Sequence, residues 1–246
     1  MIPIRDDVPS RSYPFVNVTL IALNVLVFLY EFSLDRAQLE LLTQDYAVVP
    51  ARYFSLYSGD PWSLGAPAIG AGLVLPVFTA MFLHGGWVHL GGNMLYLWIF
   101  GDNIEDRMGH FRYLVFYLLC GVLATIAHIL SSPGSRVPSL GASGAIAGVL
   151  GAYLILFPHA RVVTLIPIFI FLQFIRIPAL LLLGFWFVQQ FFYGAASLGA
   201  HSVQTGGVAW WAHIGGFVSG MALVKLFSKD DPRSYAREVW WSRGLQ

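Results

Sequence analysis

From residue 107 to residue 229 the chain contains no aspartate and no glutamate. A fold surrounded by water keeps charges of both signs on its solvated faces, and a stretch this long without acids is poorly suited to that. Composition points the same way. Charged residues make up 11% of the 246 residues and apolar ones 57%, against about 25% and about 45–50% in soluble domains. Lipid is the solvent that such a chain matches. The formal net charge of +1 gives no reason to expect nucleic acid as a partner. The single cysteine, Cys120, excludes an internal disulfide and reads as a small packing residue.

The apolar runs predict an all-α polytopic bundle of six transmembrane helices, at residues 16–32, 87–100, 113–130, 141–157, 177–193 and 208–227. No small-x-small cleavage site follows the first run, so it is expected to be a retained helix. Residues 1–15 read as a short exposed cytoplasmic lead-in, 16–228 as one membrane domain, and 229–246 as a polar cytoplasmic tail. Residues 35–76 are too polar to span, and Leu39, Leu42, Tyr46 and Val49 recur at the spacing of a short interfacial helix. His84-Gly85-Gly86 breaks the approach to the second span, and residues 101–112 read as a polar loop. Residues 162–193 could cross twice, or once after an interfacial preamble. The segment 162–175 is short for a crossing, so one span at 177–193 is expected, with Pro178 in its first turn. With the N-terminus inside, Arg5, Arg11, Arg107, Arg112, Arg161, Lys225 and Lys229 collect on the inner face. Only Arg36, Arg52 and Arg136 fall outside, as the positive-inside rule requires.

In this arrangement the second, fourth and sixth helices all start at the outer face. His89, Asn93, Ser143 and His213 each lie within about two turns of such a start, or about 10 Å of depth. A hydroxyl attacks a carbonyl only when a base takes its proton, and histidine titrates in the right range. His89 and Asn93, at i and i+4, share a helix face and could supply donors to an oxyanion, with the Ser143 amide at a helix N-terminus as a third. Gly144, Gly148 and Gly151 on the fourth helix, with Gly216 and Gly220 on the sixth, would let the two helices approach closely. Because the nearest acids before the stretch, Asp102, Glu105 and Asp106, belong to the inner side, Ser143 and His213 would form a dyad without a carboxylate. Gly-Ala-Ser143-Gly-Ala also lacks the second glycine of an α/β-hydrolase elbow.

Singly, each feature has a plainer reading. A serine at a membrane-helix start commonly packs, and His89 with Asn93 could be hydrogen-bonded glue between helices. His84 and His128 could be interfacial histidines. No His-Glu-x-x-His or cysteine cluster indicates a metal, and no lysine follows Gly141–Gly148 to make a phosphate loop.

Together the motifs resemble the rhomboid intramembrane serine proteases. The matching pieces are Gly-Ala-Ser143-Gly, Ala-His213-Ile-Gly-Gly, His84-Gly-Gly-Trp-Val-His89-Leu-Gly-Gly-Asn93-Met, and Gly101-Asp-Asn-Ile-Glu105-Asp-Arg107-Met-Gly109 with the Tyr117/Gly121 region. The resemblance spans residues 10–228. It implies Ser143 as nucleophile, His213 as general base, and His89, Asn93 and the Ser143 amide as oxyanion site. His84, Gly141 and Gly144 would line a hydrated cavity opening outward. It further implies single-pass transmembrane proteins as substrates, cut near the outer end of their helix, no metal or cofactor, a movable fifth helix and a membrane-embedded first loop. A bacterial inner membrane is the expected location. Several bacterial members carry a tyrosine four residues after the serine, stacked on the histidine; here that position is Ala147, so what orients His213 is open. Inactive relatives lack the serine or the histidine, and this chain has both. A non-proteolytic protein that escorts membrane helices is the alternative. A channel or transporter is disfavoured by the missing intramembrane acids.

Overall fold

A computed structural model describes residues 1–54, 69–168, 171–199 and 208–229. A strand β1 (Ile2–Arg5) leads into helix α1 (Phe15–Ser33). Short helices α2 (Arg36–Tyr46) and α3 (Pro50–Phe54) follow, the first being the helix anticipated from Leu39, Leu42 and Tyr46. Asp35 caps it: its carboxylate accepts from the Gln38 amide at 2.9 Å, and the Gln38 side chain accepts from the Asp35 amide at 3.2 Å. Helix α4 (Ile69–Thr79) and a 3-10 turn (Ala80–Phe82) precede α5 (Trp87–Met108), then come α6 (His110–Ser131) and α7 (Ser143–Leu156). Strands β2 (Arg161–Ile168) and β3 (Phe171–Pro178) separate these from α8 (Ala179–Gly199) and α9 (Trp210–Phe227).

Chain direction alternates through the bundle. The start of α1 meets the end of α5, where Glu105 accepts from the amides of Val16 and Asn17 at 3.0 and 2.7 Å. The end of α9 returns to the same place, with the Lys229 amide donating to the Arg107 carbonyl at 3.0 Å. The far ends of α5, α7 and α9 converge on Gly141, Ser143 and His213. Helices α5, α7 and α9 therefore run one way, and α1, α6 and α8 the other.

Glycine sets the spacing between α7 and α9. A methyl group built on Gly220 would sit 1.9 Å from the Gly148 carbonyl oxygen, one on Gly216 2.0 Å from that of Gly144, and one on Gly151 2.1 Å from that of Phe217. Backbone thus lies on backbone, which only glycine permits. Gly148 also faces Cys120 of α6, whose Cβ lies 2.4 Å from the same hypothetical methyl. Around this seam Tyr117, Phe116, Tyr153 and Phe217 are fully buried.

Several expectations are corrected. The bundle is not purely α-helical, because β1, β2 and β3 form an antiparallel three-stranded sheet. Residues 1–15 are accordingly more than a lead-in, and the segment read as a preamble to the fifth span holds the paired strands β2 and β3. Its β-branched and aromatic residues favour an extended chain. Residues 101–112 are not a loop. Helix α5 continues to Met108 and stops at Gly109, whose φ of 79° ends it, because Glu105 is buried as the N-terminal acceptor for α1 and so has a partner inside the fold. The fifth helix begins at Ala179, after Pro178.

By length and apolar character, three helices among the described residues could cross a membrane: α1, α6 and α8, or four if the bent pair of α4 and α5, at 80°, counts as one. Helix α7 is shorter at 14 residues, and α9 is not among them. These two carry the glycine seam, and α9 carries His213. The tail beyond Lys229 and residues 55–68 of the first loop lie outside the described residues.

Candidate active site

Ser143 is the first residue of α7. Its Oγ lies 2.9 Å from Nε2 of His213, in the first turn of α9. The glycine seam makes this possible, since a Cβ at Gly216 or Gly220 would push the two helices apart. Gly144 faces Ala124 of α6 and Ala212 of α9, which holds the start of α7 against both.

Gly141 shapes the approach to Ser143. Its φ of 126° suits glycine, and a methyl there would sit 2.7 Å from His89 Nε2 and 3.7 Å from Asn93 Nδ2. Both α5 side chains therefore point at the backbone two residues before the serine. Their hydrogen bonds fix which atoms donate. The Gly85 amide donates to His89 Nδ1 at 3.3 Å, so in the neutral ring the proton sits on Nε2, the atom facing Gly141. His84 Nδ1 lies 3.3 Å from the Phe82 carbonyl, and its Nε2 lies 3.0 Å from Asn93 Nδ2. The consistent assignment has His84 donating through Nδ1 and accepting through Nε2 from one Asn93 N–H. The other Asn93 N–H is left to serve the site.

These residues border a cavity of about 900 Å³ lined by His89, Asn93, Gly141, Ser143, Gly144 and His213. His84 does not line it, contrary to expectation. It is buried behind Asn93, its amide held by the Glu31 carboxylate at 3.1 and 3.3 Å. Its ring is held between the Phe82 carbonyl and Asn93 Nδ2. Among the described residues, no three His, Cys, Asp or Glu side chains converge as a metal ion would require.

Four residues have no part in the site as read from the sequence, where His128 is only a possible interfacial histidine. Glu31, at the end of α1, anchors the His84 backbone. His128 of α6 lines the cavity. From α8, Gln190 places Oε1 2.8 Å from His213 Nδ1, and Trp186 sets its ring 5.7 Å from the imidazole at an interplanar angle of 35°. Ala147 is fully buried, and the aromatic neighbours of His213 are Trp186 and Trp210. The only local hint of α8's role was a pair of amides, Gln189 and Gln190, in an otherwise apolar run.

The sequence pattern of the Rhomboid domain family matches residues 71–230. Among curated proteins, "Rhomboid protein 1, mitochondrial" of Saccharomyces cerevisiae is 30% identical over 161 residues, 63% of this chain and 42% of that protein. "Rhomboid-like protein 11, chloroplastic" of Arabidopsis thaliana is 30% identical over 169 residues, 65% of this chain and 55% of the relative. "Rhomboid protease GluP" of Bacillus subtilis is 34% identical over 146 residues, 59% of this chain and 25% of its own length. The chain thus spans from a quarter to just over half of the length of these relatives. The likeness supports an integral, multi-pass membrane protein. With mitochondrial and chloroplastic proteins among the relatives, it does not support the expected bacterial inner membrane in particular.

Proposed function

The chain belongs to the rhomboid family, and from that premise we propose that it is an intramembrane serine endopeptidase acting on single-pass membrane proteins near the outer end of their transmembrane helix. The observation that carries the proposal is the 2.9 Å contact between Ser143 Oγ and His213 Nε2 at the edge of the cavity. His213 takes the Ser143 hydroxyl proton on Nε2 while Oγ bonds to the substrate carbonyl carbon. The resulting oxyanion is met by His89 Nε2–H, an Asn93 N–H and the Ser143 amide, whose first-turn N–H has no intrahelical acceptor. His213 then passes its proton to the leaving amine. A water, deprotonated by the same nitrogen, releases the acyl group and restores Ser143. This chemistry calls on no metal or cofactor.

In the proposed topology α5, α7 and α9 enter from the outer face, giving six crossings with both termini inside. The 14-residue α7, buried along most of its length, crosses without the long apolar surface that lipid-facing helices need, and its glycine seam packs it directly on α9.

The test uses the protein reconstituted in liposomes with a model single-pass substrate. The wild type should cleave it and be labelled at Ser143 by a fluorophosphonate, and Ser143→Ala should do neither. Undiminished cleavage by Ser143→Ala would remove the serine from its role. A wild type that binds the helix but is neither labelled nor active would be a non-proteolytic escort instead.

A further inference from the structure

We propose that Gln190 of α8 is a positioning residue for the proposed Ser143–His213 pair, holding the imidazole in the tautomer that can act as base. The inference rests on the functional reading above and extends it.

The atoms settle the direction of the bond. As base, His213 must present an unprotonated Nε2 to the Ser143 hydroxyl, so its one proton sits on Nδ1 and needs an acceptor. Gln190 Oε1 is 2.8 Å from Nδ1. Gln190 is 5% exposed, so water cannot readily replace it, and a buried Nδ1–H without an acceptor would be costly.

The placement is built into α8. Trp186, Gln190 and Gly194 are spaced four apart and lie on one helix face. Trp186 covers the imidazole, Gln190 bonds it, and Gly194 lets α8 lie against α9. A methyl on Gly194 would come within 3.2 Å of Ile214 Cδ1 and 3.5 Å of Trp210 Cβ. The histidine is thus gripped at its face and at Nδ1 by a helix that supplies neither the proposed nucleophile nor the base.

The amide is also chemically specific. It accepts the Nδ1 hydrogen in both the neutral ring and the imidazolium, but adds no negative charge. The other titratable groups lining the cavity are His89 and Tyr96 of α5 and His128 of α6; on α7 the facing group is Ser143, and among the described residues no acid lines it. A carboxylate at 190 would be the nearest negative charge to the imidazole, favour its charged form, and so move protonation of the base to higher pH.

The experiment compares wild type, Gln190→Leu and Gln190→Glu for kcat, KM, the pH profile of cleavage and the rate of fluorophosphonate labelling. Gln190→Leu should lose about tenfold or more in kcat and in labelling rate, with KM little changed, as expected for a lost buried hydrogen bond to the base. Gln190→Glu should retain more activity than the leucine variant at alkaline pH, with the acid limb of its profile displaced upward by about one pH unit. Wild-type kcat and labelling in a folded Gln190→Leu protein would overturn the proposal. So would an unmoved acid limb in Gln190→Glu, which also decides the matter if the leucine variant fails to fold. A wild type that neither cleaves nor labels would instead overturn the functional reading on which the inference rests.

Discussion

At the scale of single residues, the site is a chain of assignments in which each hydrogen bond fixes the next. The Gly85 amide sets the His89 tautomer, and the Phe82 carbonyl sets that of His84, which in turn holds Asn93. Preorganised donors of this kind act without rearrangement when charge develops on the substrate. Replacing Asn93 by Ala removes one of them, and cleavage should fall about 10²-fold in kcat with a smaller change in KM. Steady-state kinetics on a reconstituted substrate measures this, and an unchanged kcat would take Asn93 out of the oxyanion site. Ser143, His213, His89 and Asn93 could be singled out in the sequence because a polar group in an apolar helix is conspicuous. Gln190 was equally conspicuous by that standard. Its partner, however, lies 23 positions away on another helix, and no local pattern marks the pair.

At the scale of elements, the α7–α9 seam decides whether the pair exists. With the Gly148 carbonyl 1.9 Å from the position a methyl would take on Gly220, Gly220→Ala cannot be absorbed by a side-chain rotation. It should lower stability by about 1–3 kcal/mol through overpacking and abolish most cleavage by separating Ser143 from His213. Gly184→Ala on α8 is the control, because nothing lies within 4 Å of the added methyl. It should be neutral or slightly stabilising. Thermal unfolding in detergent distinguishes the two, and equal midpoints would show that the seam tolerates spreading. The glycine spacing was legible because it repeats along each helix. The β2–β3 hairpin was not, since a continuous apolar run does not announce whether it is extended or helical. Phe171, Leu172 and Phe174 of β3 remain 65%, 62% and 65% exposed, so no burial periodicity was written into that strand either.

At the scale of the whole molecule, the first residues of the chain tie the strands to the helices. β1 pairs with β2, and Asp6, just after it, accepts hydrogen bonds from Tyr153 of α7 and, at 3.0 Å, from Asn103 of α5. Burial pushes the Asp6 carboxyl up from its ordinary value of 3.8 to about 7, a rise opposed by the Tyr153 hydroxyl and aided by the Asp102 carboxylate. The folded protein therefore keeps a proton between about pH 4 and pH 7 that the unfolded chain releases. Its stability from this group falls as pH rises through that window and levels off above it. Asp6→Asn keeps an acceptor for Tyr153 and Asn103 but removes the titration. Between pH 5 and pH 8, the unfolding midpoint of the wild type should drop by more than that of the variant. Identical pH slopes would show that this tie does not titrate with folding.

The sequence by itself determined the solvent, the helical class, the family and the four polar groups that face one another, because each depends on local composition, periodicity or a short motif. Tertiary structure alone decided that Glu105 near the end of α5 caps α1 rather than populating a loop, that the N-terminal segment joins a sheet, and that His84 stands behind Asn93. It also brought Gln190 and Trp186 of α8 to His213, at a site where Ala147 leaves the imidazole without an aromatic neighbour from α7. Those outcomes rest on contacts between elements distant in the chain, and a buried polar group is assigned its partner only when the helices pack.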